Sequence, residues 1–304
     1  MKPNLLTEEK VIITAAITGG IQGKWANPAI PITPEEQAQD ALECYEAGAS
    51  ILHLHVRGDD GQNTPDLKYY NKAVKLIREK CPIIVQIGNG IGARIAYGTK
   101  TSSKGRKYGQ TIVMPTLKER LNLLNIDPPP DMHTINAGTF EFQTKYGNHT
   151  FDNPISFNKK YVERCNNKGF GIEIEVYDTS HITNIETLVS TFKVLRPPLH
   201  FSIVLGIGGG APATIRNLIN MVELVPDGST WQVVTVGRMN LRTTTIALCM
   251  GGNVRTGLED ILYYQKGEFV ESNAQLVKRM VRLAKDIGRK PATVDEAREK
   301  LGLN

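Results

Sequence analysis

Short runs of apolar, mostly β-branched residues recur along the chain, and stretches with helical periodicity separate them. Eight runs predict strands: Val11–Ile17, Ile51–Val56, Ile83–Ile87, Thr134–Asn136, Ile172–Val176, His200–Leu205, Trp231–Val236 and Asn253–Arg255. Strands that alternate with helices predict a parallel sheet. The count of eight and the length of 304 residues favour an α/β fold, a (β/α)8 TIM barrel that forms a single domain over 1–304. An open doubly wound sheet is the alternative.

The helix after the first strand has the clearest predicted boundaries. Thr33 and Glu36 match the capping-box pattern, and Gly48 is suited to end the helix. Thr293 and Glu296 repeat the same box near the end of the chain. No GxGxxG sequence lies between the first strand and this helix, which argues against a dinucleotide-binding fold.

One stretch interrupts the alternation of strands and helices. Residues 89–114 contain few large apolar side chains and many Gly, Ser, Thr and Lys residues. They follow the third strand, so a barrel places this inserted loop on its active-site face. Its basic residues predict either a solvated surface or a contact for an anionic ligand: Lys100, Lys104, Arg106 and Lys107. A second basic group has the same two interpretations: Lys278, Arg279, Arg282, Lys285, Arg289 and Lys290.

Composition and charge narrow the class of protein. A hydrophobic fraction of 40% supports a sizeable core, and a net charge of +5 is too small to indicate a nucleic-acid partner. The four cysteines are scattered without a CxxC pair, which predicts reduced thiols in a cytoplasmic protein. The first ten residues lack the apolar core of a secretion signal, and no apolar run approaches the ~20 residues that cross a bilayer. Any metal site must therefore use histidines and carboxylates.

The strongest candidate for chemistry is the pair His53 and His55. Residues two apart in a strand point to the same face, so both imidazoles share one side of the second strand. In a closed barrel the eighth strand lies next to the first, and the second lies just beyond. Glu259 can therefore complete a His₂Glu metal site, with Arg255 and Asp260 as a charge-assisted pair beside it. The alternatives are a hydrogen-bonded histidine pair in a polar core and a surface salt bridge at a helix start.

Further candidates lie at the ends of other strands. Glu173 and Glu175 share one face of the fifth strand, and one of them is predicted to be functional, with structural ion pairing as the alternative. Gly208 and Gly209 follow the sixth strand, where backbone N–H groups can approach an anion. Arg238 follows the seventh strand, where barrels often bind phosphate, so it is a candidate contact for the phosphate of a nucleotide-like cofactor.

Motifs spread over the chain resemble those of one family. They are TAAITG at 14–19, PITPEEQA at 31–38, EAGAS at 46–50, HLHVR at 53–57, NAGT at 136–139, EIEVYD at 173–178, GGNVRTGLED at 251–260 and ESNAQLV at 271–277. Together they resemble the β-keto acid cleavage enzymes from about Val11 to Leu303, and the joint occurrence of HLH and RTGLED is specific. The resemblance implies a (β/α)8 barrel, usually a homotetramer, with one divalent metal, normally zinc.

The resemblance also implies a reaction and its residues. In a Claisen-type exchange, a β-keto acid and acetyl-CoA give an acyl-CoA and acetoacetate. The family's metal ligands correspond to His53, His55 and Glu259. Its arginine–aspartate pair, proposed to take the proton from C2 of the keto acid, corresponds to Arg255 and Asp260.

Substrate contacts are implied less completely. The family's glutamate on strand five corresponds to Glu173 or Glu175, of which we favour Glu175, and its polar substrate contacts correspond partly to Thr134 and Asn136. Asn89 stands where the family has a hydroxyl donor. The stretch around Ile21 lacks the acidic residue that binds an ammonium group in the family member of lysine fermentation. We therefore predict a substrate without an amino group. We favour a neutral or apolar tail in contact with Ile21, and the alternative is a second carboxylate held by Lys24 or Arg94.

Two other functions remain open from the sequence. A metal-dependent barrel aldolase or hydrolase could use the same His₂Glu site without CoA. A barrel that only binds a metabolite or a protein would not require Arg255, Asp260 and three ligands together. The insertion 89–114 is a candidate lid or CoA phosphate contact, with a disordered insertion or an oligomer contact as the alternatives.

Overall fold

The computed structural model describes residues 9–303, except 102, 104–106 and 145–146. Eight parallel strands form a closed barrel in which each strand pairs with its neighbours in sequence and the eighth pairs with the first. They are β1 (Ile13–Ala16), β2 (Ile51–Leu54), β3 (Ile84–Ile87), β4 (Met132–Asn136), β5 (Gly171–Val176), β6 (His200–Leu205), β7 (Thr230–Thr235) and β8 (Asn253–Thr256). All eight predicted strands are confirmed, and the closed barrel excludes the open sheet.

A helix follows every barrel strand, as the alternating pattern predicts. The helices are α1 (Pro34–Ala47), α2 (Leu67–Lys80), α3 (Leu117–Asn122), α4 (Ile155–Lys168), α5 (Thr179–Ser190), α6 (Ile215–Leu224), α7 (Asn240–Cys249), α8 (Asn273–Asp286) and an additional α9 (Val294–Leu301). The predicted capping box of α1 forms, because the Thr33 side chain accepts from Glu36 N and the Glu36 carboxylate accepts from Thr33 N. Gly48 ends α1 at a φ of 110°. Among the described residues, no helix has both the length and the apolar character to cross a membrane.

Side chains along β2 alternate between the hydrophobic core outside the barrel and the barrel interior, where the two histidines lie. Leu52, Leu54 and Val56 belong to the large hydrophobic cluster between barrel and helices. His53 and His55 alternate with them, so they point into the barrel, as predicted for residues two apart. The packing of β2 against its helices therefore fixes the face on which the imidazoles lie.

Three antiparallel hairpins extend the barrel in the part of the chain that the structure describes. Within the predicted loop 89–114, strands Arg94–Thr101 and Lys107–Val113 pair, so the insertion is a hairpin rather than a structureless loop. A second hairpin, Phe140–Thr144 with Gly147–Phe151, follows β4 and was not predicted. A short third hairpin joins Tyr263–Gln265 to Glu268–Phe269. Of the basic residues in the insertion, Lys104 and Arg106 lie outside the described residues.

The basic residues near the end of the chain do not form one surface. Arg279 is buried, and its guanidinium donates to Tyr264 O at 2.7 Å. Arg289 is also buried and donates to Leu248 O and Gly252 O. Both donate to backbone carbonyls, so the interpretation as solvated or anion-binding surface was wrong for these two residues. The other four members of the group are exposed, as a solvated surface requires: Lys278, Arg282, Lys285 and Lys290.

A buried histidine away from the site gives the fold a predicted pH dependence. His133 is fully buried, its Nδ1 lies 3.0 Å from Tyr161 Oη, and burial together with the charge of Lys168 lowers its pKa to about 3. Between pH 6.5 and 3 the unfolded chain protonates this imidazole while the folded chain does not, so stability falls as pH falls. The expected loss at pH 5 relative to pH 8 is about 2 kcal/mol from this residue.

Urea unfolding at the two pH values tests this expectation. His133→Gln should reduce the difference in unfolding free energy between pH 8 and pH 5. An equal difference in His133→Gln and the wild-type protein would contradict the assignment.

Candidate metal and catalytic site

Three potential metal ligands converge at the carboxyl ends of β2 and β8. His53 lies in β2, His55 directly follows its end, and Glu259 lies in the turn after β8. His53 Nε2 is 3.2 Å from His55 Nε2, and Glu259 Oε1 is 3.7 Å from the first nitrogen and 3.9 Å from the second. The structure thus brings together the three residues that the sequence predicted as a His₂Glu set.

Two glycines make this approach possible. A Cβ on Gly88 would lie 2.5 Å from His55 Nε2 and 2.9 Å from His53 Nε2, so a side chain there would displace the imidazoles. Gly257 has a φ of 152°, and a Cβ there would overlap Ala16 O. The turn after β8 can therefore fold back onto β1, where Glu259 N donates to Ala16 O at 3.1 Å.

The hydrogen bonds around the imidazoles fit a cation between them. His53 Nδ1 lies 2.7 Å from Gln86 Oε1, and His55 Nδ1 lies 3.2 Å from Ile91 O. Both partners are acceptors, so each Nδ1 carries the proton and each Nε2 presents a lone pair toward Glu259. Among the described residues, Glu259 Oε2 is buried without a hydrogen-bond partner. A divalent cation would satisfy these converging lone pairs, and the Nδ1 partners match those of metal-bound histidines.

Charge and burial keep the three side chains in their metal-binding forms. Burial, reinforced by the Arg255 charge, lowers the pKa of His53 to about 4, and burial also lowers the pKa of His55. Burial opposes the ionisation of Glu259, but Arg255 and the two imidazoles outweigh it and lower the pKa of Glu259 to about 2. At neutral pH the site therefore offers two neutral imidazoles and one carboxylate.

Arg255 is the centre of a buried cluster of carboxylates. Its side chain is 3% exposed, and its Nε and Nη2 donate to the two Asp260 oxygens, each at 3.0 Å. Nη2 also lies 2.6 Å from Glu259 Oε1, and Nη1 lies 3.6 Å from Glu175 Oε1. The surface salt bridge considered from the sequence is therefore excluded. Burial raises the pKa of Asp260 to about 6, although Arg255 opposes the rise.

The two glutamates of β5 have different surroundings. The oxygens of Glu173 accept bonds inside the barrel from Gln86, Ser202 and Gln232. Glu175 lies one step closer to the carboxyl end, beside Arg255, and its Oε2 is 2.9 Å from the Tyr177 hydroxyl. Burial raises the pKa of Glu175 to about 7, although Arg255 opposes the rise. The favoured residue, Glu175, thus faces the Arg255 cluster.

The predicted substrate contacts Thr134, Asn136 and Asn89 form one connected group. Asn89 N donates to Thr134 Oγ1 at 3.1 Å, and Asn89 Oδ1 accepts from Asn136 Nδ2 at 2.6 Å and from Arg120 at 3.0 Å. Asn136 Oδ1 in turn lies 2.8 Å from the Tyr177 hydroxyl. Asn89 Nδ2 is buried without a partner among the described residues, so it remains available as a donor.

The other predicted site residues lie on rim loops. Ile21 is in the loop between β1 and α1, and its side chain is 75% exposed rather than packed in a pocket. Gly208 and Gly209 are exposed in the loop after β6, and a Cβ on Gly209 would overlap Glu141 O of the second hairpin. Arg238 is exposed directly after β7. The structure groups none of these four with the three ligand atoms.

Several site residues were missed from the sequence. Gln86 was detectable, because it is a polar residue inside an otherwise apolar strand run. Tyr177 lies within a motif but has no local feature that predicts its contact with Glu175. Arg120, in α3, is 1% exposed and holds Asn89, and its helix position gave no signal of this role.

Comparison with known proteins finds relatives over nearly the whole chain. The family model described as beta-keto acid cleavage enzyme matches residues 10–303. The 3-keto-5-aminohexanoate cleavage enzyme of Fusobacterium nucleatum is 41% identical over 97% of this chain and 98% of its own. The 3-oxoadipate:acetyl-CoA acetyltransferase of Cupriavidus necator is 33% identical over 96% of this chain and 94% of its own.

A solved structure shares the fold at low sequence identity. The complex of ObcA with oxaloacetate superposes with a TM-score of 0.68 at 18% identity, over 91% of this chain and 68% of that one. This likeness concerns the barrel alone. The match to the family model and the alignments with its curated relatives extend over nearly the whole sequence. This chain belongs to the β-keto acid cleavage enzyme family.

Proposed function

We propose that this enzyme exchanges acyl groups between a β-keto acid and acetyl-CoA, and releases an acyl-CoA and acetoacetate, at a site that holds one divalent metal. The observation that carries the proposal is the convergence of His53, His55 and Glu259 beside the buried Arg255–Asp260 pair. The name of the Cupriavidus relative contains both 3-oxoadipate and acetyl-CoA, which supports acetyl-CoA as the second substrate. Zinc is our prediction for the metal, although His₂Glu sites also suit other divalent ions.

The first step is removal of a proton from C2 of the keto acid. A bound divalent ion would supply Lewis acidity at the ketone and carboxylate oxygens of the substrate. Asp260 accepts the proton, because its carboxylate is held by Arg255 and its pKa of about 6 suits a base at neutral pH. Arg255 orients Asp260 and offsets the negative charge of the cluster. Glu175, with a pKa of about 7, lies on the other side of Arg255, where it can exchange a proton with the substrate.

The carbanion at C2 then starts the steps that form one C–C bond and break another. C2 attacks the thioester carbon of acetyl-CoA, a C–C bond forms, and CoA leaves as the thiolate. The thiolate attacks the original ketone carbon, and the bond between that carbon and C2 breaks. The products are the new acyl-CoA and a carbanion that takes back the proton from Asp260 to give acetoacetate. No covalent intermediate with the protein is required.

We assign substrate and CoA to different parts of the active-site face. We assign the polar groups of the keto acid to the Asn89, Thr134 and Asn136 group, supported by the unpartnered Asn89 Nδ2. We assign the CoA phosphates to exposed Arg238 and the backbone of Gly208 and Gly209, with the hairpin in 89–114 as a lid or further contact. The homotetramer that the family resemblance implies remains a prediction, which light scattering of the purified protein tests. The cytoplasmic location also remains a prediction.

The acyl chain is the least constrained feature of the substrate. The loop around Ile21 contains no acidic residue from Gly20 to Lys24, which supports a keto acid without an amino group. Lys24 and Arg94 are the candidate contacts for a second carboxylate on the substrate. Lys24 already forms an ion pair with Glu36 at 3.0 Å. We therefore favour a neutral tail. The prediction departs from the name of the Fusobacterium relative, whose keto acid carries an amino group.

Acetoacetate release from a panel of β-keto acids tests the proposal. The panel spans neutral, carboxylate-bearing and amino-bearing tails, with and without acetyl-CoA, on protein of assayed metal content. We expect release that depends on both acetyl-CoA and metal, with the neutral tails fastest. Turnover without acetyl-CoA would support the aldolase or hydrolase alternative, and a preference for the amino-bearing tail would overturn the assignment of the acyl chain.

Glu259→Gln should lower both metal retention and activity. An amide is a poorer ligand than a carboxylate, and the variant also removes a negative charge beside Arg255. Loss of an outer-shell partner alone weakens metal binding by about 10- to 100-fold, so loss of a ligand should exceed this. Metal content after dialysis and acetoacetate release are measured together. Glu163→Gln on α4, where the carboxylate pairs with Lys159, is the matched control. Full activity of Glu259→Gln would refute the assigned site.

A further inference from the structure

Four hydrogen-bonding side chains fill the barrel beneath the predicted metal ligands. They come from the four odd-numbered strands and are fully buried: Thr14, Gln86, Glu173 and Gln232. Barrel interiors are ordinarily filled at such positions by branched apolar residues, in layers of four from alternate strands. Buried polar groups are costly unless they are hydrogen-bonded. These polar side chains occupy positions where apolar side chains would ordinarily pack, so a functional reason for their polarity is expected.

Glu173 organises the layer as an acceptor of hydrogen bonds. Its Oε1 accepts from Ser202 Oγ at 2.6 Å, and its Oε2 accepts from Gln86 Nε2 at 2.9 Å and Gln232 Nε2 at 2.8 Å. His200 Nε2 lies 3.1 Å from the same oxygen. Burial opposes ionisation, but His200, Ser202 and Gln86 outweigh it and lower the pKa of Glu173 to about 2. The carboxylate is therefore ionised, and an ionised carboxylate has no proton to donate.

This property determines the orientation of the Gln86 amide. The amide has a donor end and an acceptor end, and the donor end must face Glu173. Its Oε1 therefore faces His53 Nδ1 at 2.7 Å. An oxygen acceptor at this distance requires that Nδ1 carry the proton, so that Nε2 has the lone pair that a metal needs. If the amide turned over, its NH₂ would face Nδ1 and favour the opposite tautomer.

We propose that Glu173 is a positioning residue for the metal, which acts through Gln86 to keep the His53 proton on Nδ1 and leave Nε2 available as a ligand. The inference rests on the metal site in the proposed function. Glu173 lies behind the site, with Gln86 between it and His53. Its role therefore differs from that of Glu175, the other glutamate of β5, which faces the Arg255 cluster.

Metal affinity of the apoprotein tests this role. In Glu173→Gln the side chain at 173 can donate as well as accept, so the Gln86 amide loses its fixed direction. We expect the Kd for Zn²⁺, measured by competition with a chelator, to rise by about 10- to 100-fold, the usual effect of losing an outer-shell partner. Ser202→Ala is the control for disruption of the layer, because it removes one donor to Glu173 but keeps the Glu173–Gln86 bond. Its Kd should stay close to that of the wild-type protein.

A double variant that exchanges Gln86 and Glu173 distinguishes a positioning role of Glu173 from an effect on packing. In the double variant Gln86→Glu with Glu173→Gln, the carboxylate at 86 accepts the His53 Nδ1 proton directly, and the amide at 173 donates to it. We expect the double variant to recover most of the affinity that Glu173→Gln loses. An unchanged Kd in Glu173→Gln, an equal loss in Ser202→Ala, or a double variant no better than the single one would overturn the proposal.

The tautomer can be read without any variant. In wild-type apoprotein labelled with ¹⁵N-histidine, the nitrogen shifts of His53 should show a protonated Nδ1 and an unprotonated Nε2. A protonated Nε2 would overturn the proposal even if Glu173→Gln failed to fold. The spectrum and the Zn²⁺ titration require no keto acid or acetyl-CoA, so failure of the proposed reaction would leave this result interpretable. Wild-type protein that bound no metal would contradict the metal site itself.

Discussion

Replacing Asp260 by asparagine should lower the rate of acetoacetate formation by about 10²- to 10⁴-fold while the protein keeps its metal. Asparagine cannot accept the C2 proton, so the proposed base is lost. The metal should remain, because His53, His55 and Glu259 converge without using an oxygen of Asp260. Acetoacetate release and metal content on the same preparation are the measurements. The ratio of the two distinguishes a lost base from a lost ligand.

Asp131→Asn provides a matched control for this substitution. Asp131 lies before β4, at the amino-terminal end of the barrel, where it pairs with Arg78 and Arg298. The same chemical change there should leave turnover per bound metal unaltered. Two outcomes for Asp260→Asn would contradict the proposal. Loss of metal would place Asp260 among the ligands, and retained turnover would mean that another group takes the proton.

Replacing Arg255 by methionine should lower the free energy of unfolding of the metal-free protein by about 3–5 kcal/mol at pH 8. The guanidinium is buried against Asp260, Glu259 and Glu175 at 3.0, 2.6 and 3.6 Å. Without it, three buried carboxyl groups lose their positive partner. Removal of one partner of a buried ion pair is more costly than replacement of the whole pair, because the remaining charge stays desolvated.

The destabilisation should shrink as the pH is lowered. Burial already raises the pKa of Asp260 to about 6 and of Glu175 to about 7 in the presence of Arg255. These folded-state values exceed the unfolded values, so the folded protein binds more protons and loses stability as pH rises through them. Without Arg255 both values should rise further. The unfolding difference between variant and wild type should therefore be smaller at pH 5 than at pH 8.

Arg279→Met separates this effect from the loss of a buried arginine in general. Arg279 is buried but donates to the carbonyl oxygen of Tyr264 and lies over its ring at 4.3 Å. Because neither of these partners is a carboxylate, urea unfolding of Arg279→Met should show the same destabilisation at pH 5 and at pH 8. A pH-independent loss in Arg255→Met would show that the carboxylates are not what the guanidinium stabilises.

The barrel was predictable because each strand carries its own signal. Strands buried on both sides appear as continuous apolar runs, and the eight runs recur at the spacing that crossover helices require. The boundaries agree to within a few residues, as for Thr134–Asn136, which lies within β4. The hairpin Phe140–Phe151 was missed because its strands, FEFQT and GNHTF, are short and largely polar. The alternation within the insertion 89–114 was likewise too weak to predict its pairing.

The convergence of His53, His55 and Glu259 was predictable, but the register of β5 was not. The spacing of His53 and His55 fixes their common face, and barrel closure predicts the approach of Glu259. Glu173 and Glu175 share a face by the same rule, so periodicity cannot separate them. Their difference depends on depth within the barrel, where Glu173 meets Ser202 and Gln232 and Glu175 meets Arg255.

The sequence by itself identified the family, favoured the (β/α)8 barrel over an open sheet and singled out the candidate metal ligands, because these depend on local periodicity, spacing and motifs. Only the tertiary structure shows which side-chain atoms are in contact. It placed Gln86 between Glu173 and His53, held Asn89 with Arg120, and left Ile21 exposed on the rim. Contacts across a barrel join strands far apart in sequence, and their geometry depends on stagger and closure of the whole sheet. Local sequence does not contain that geometry.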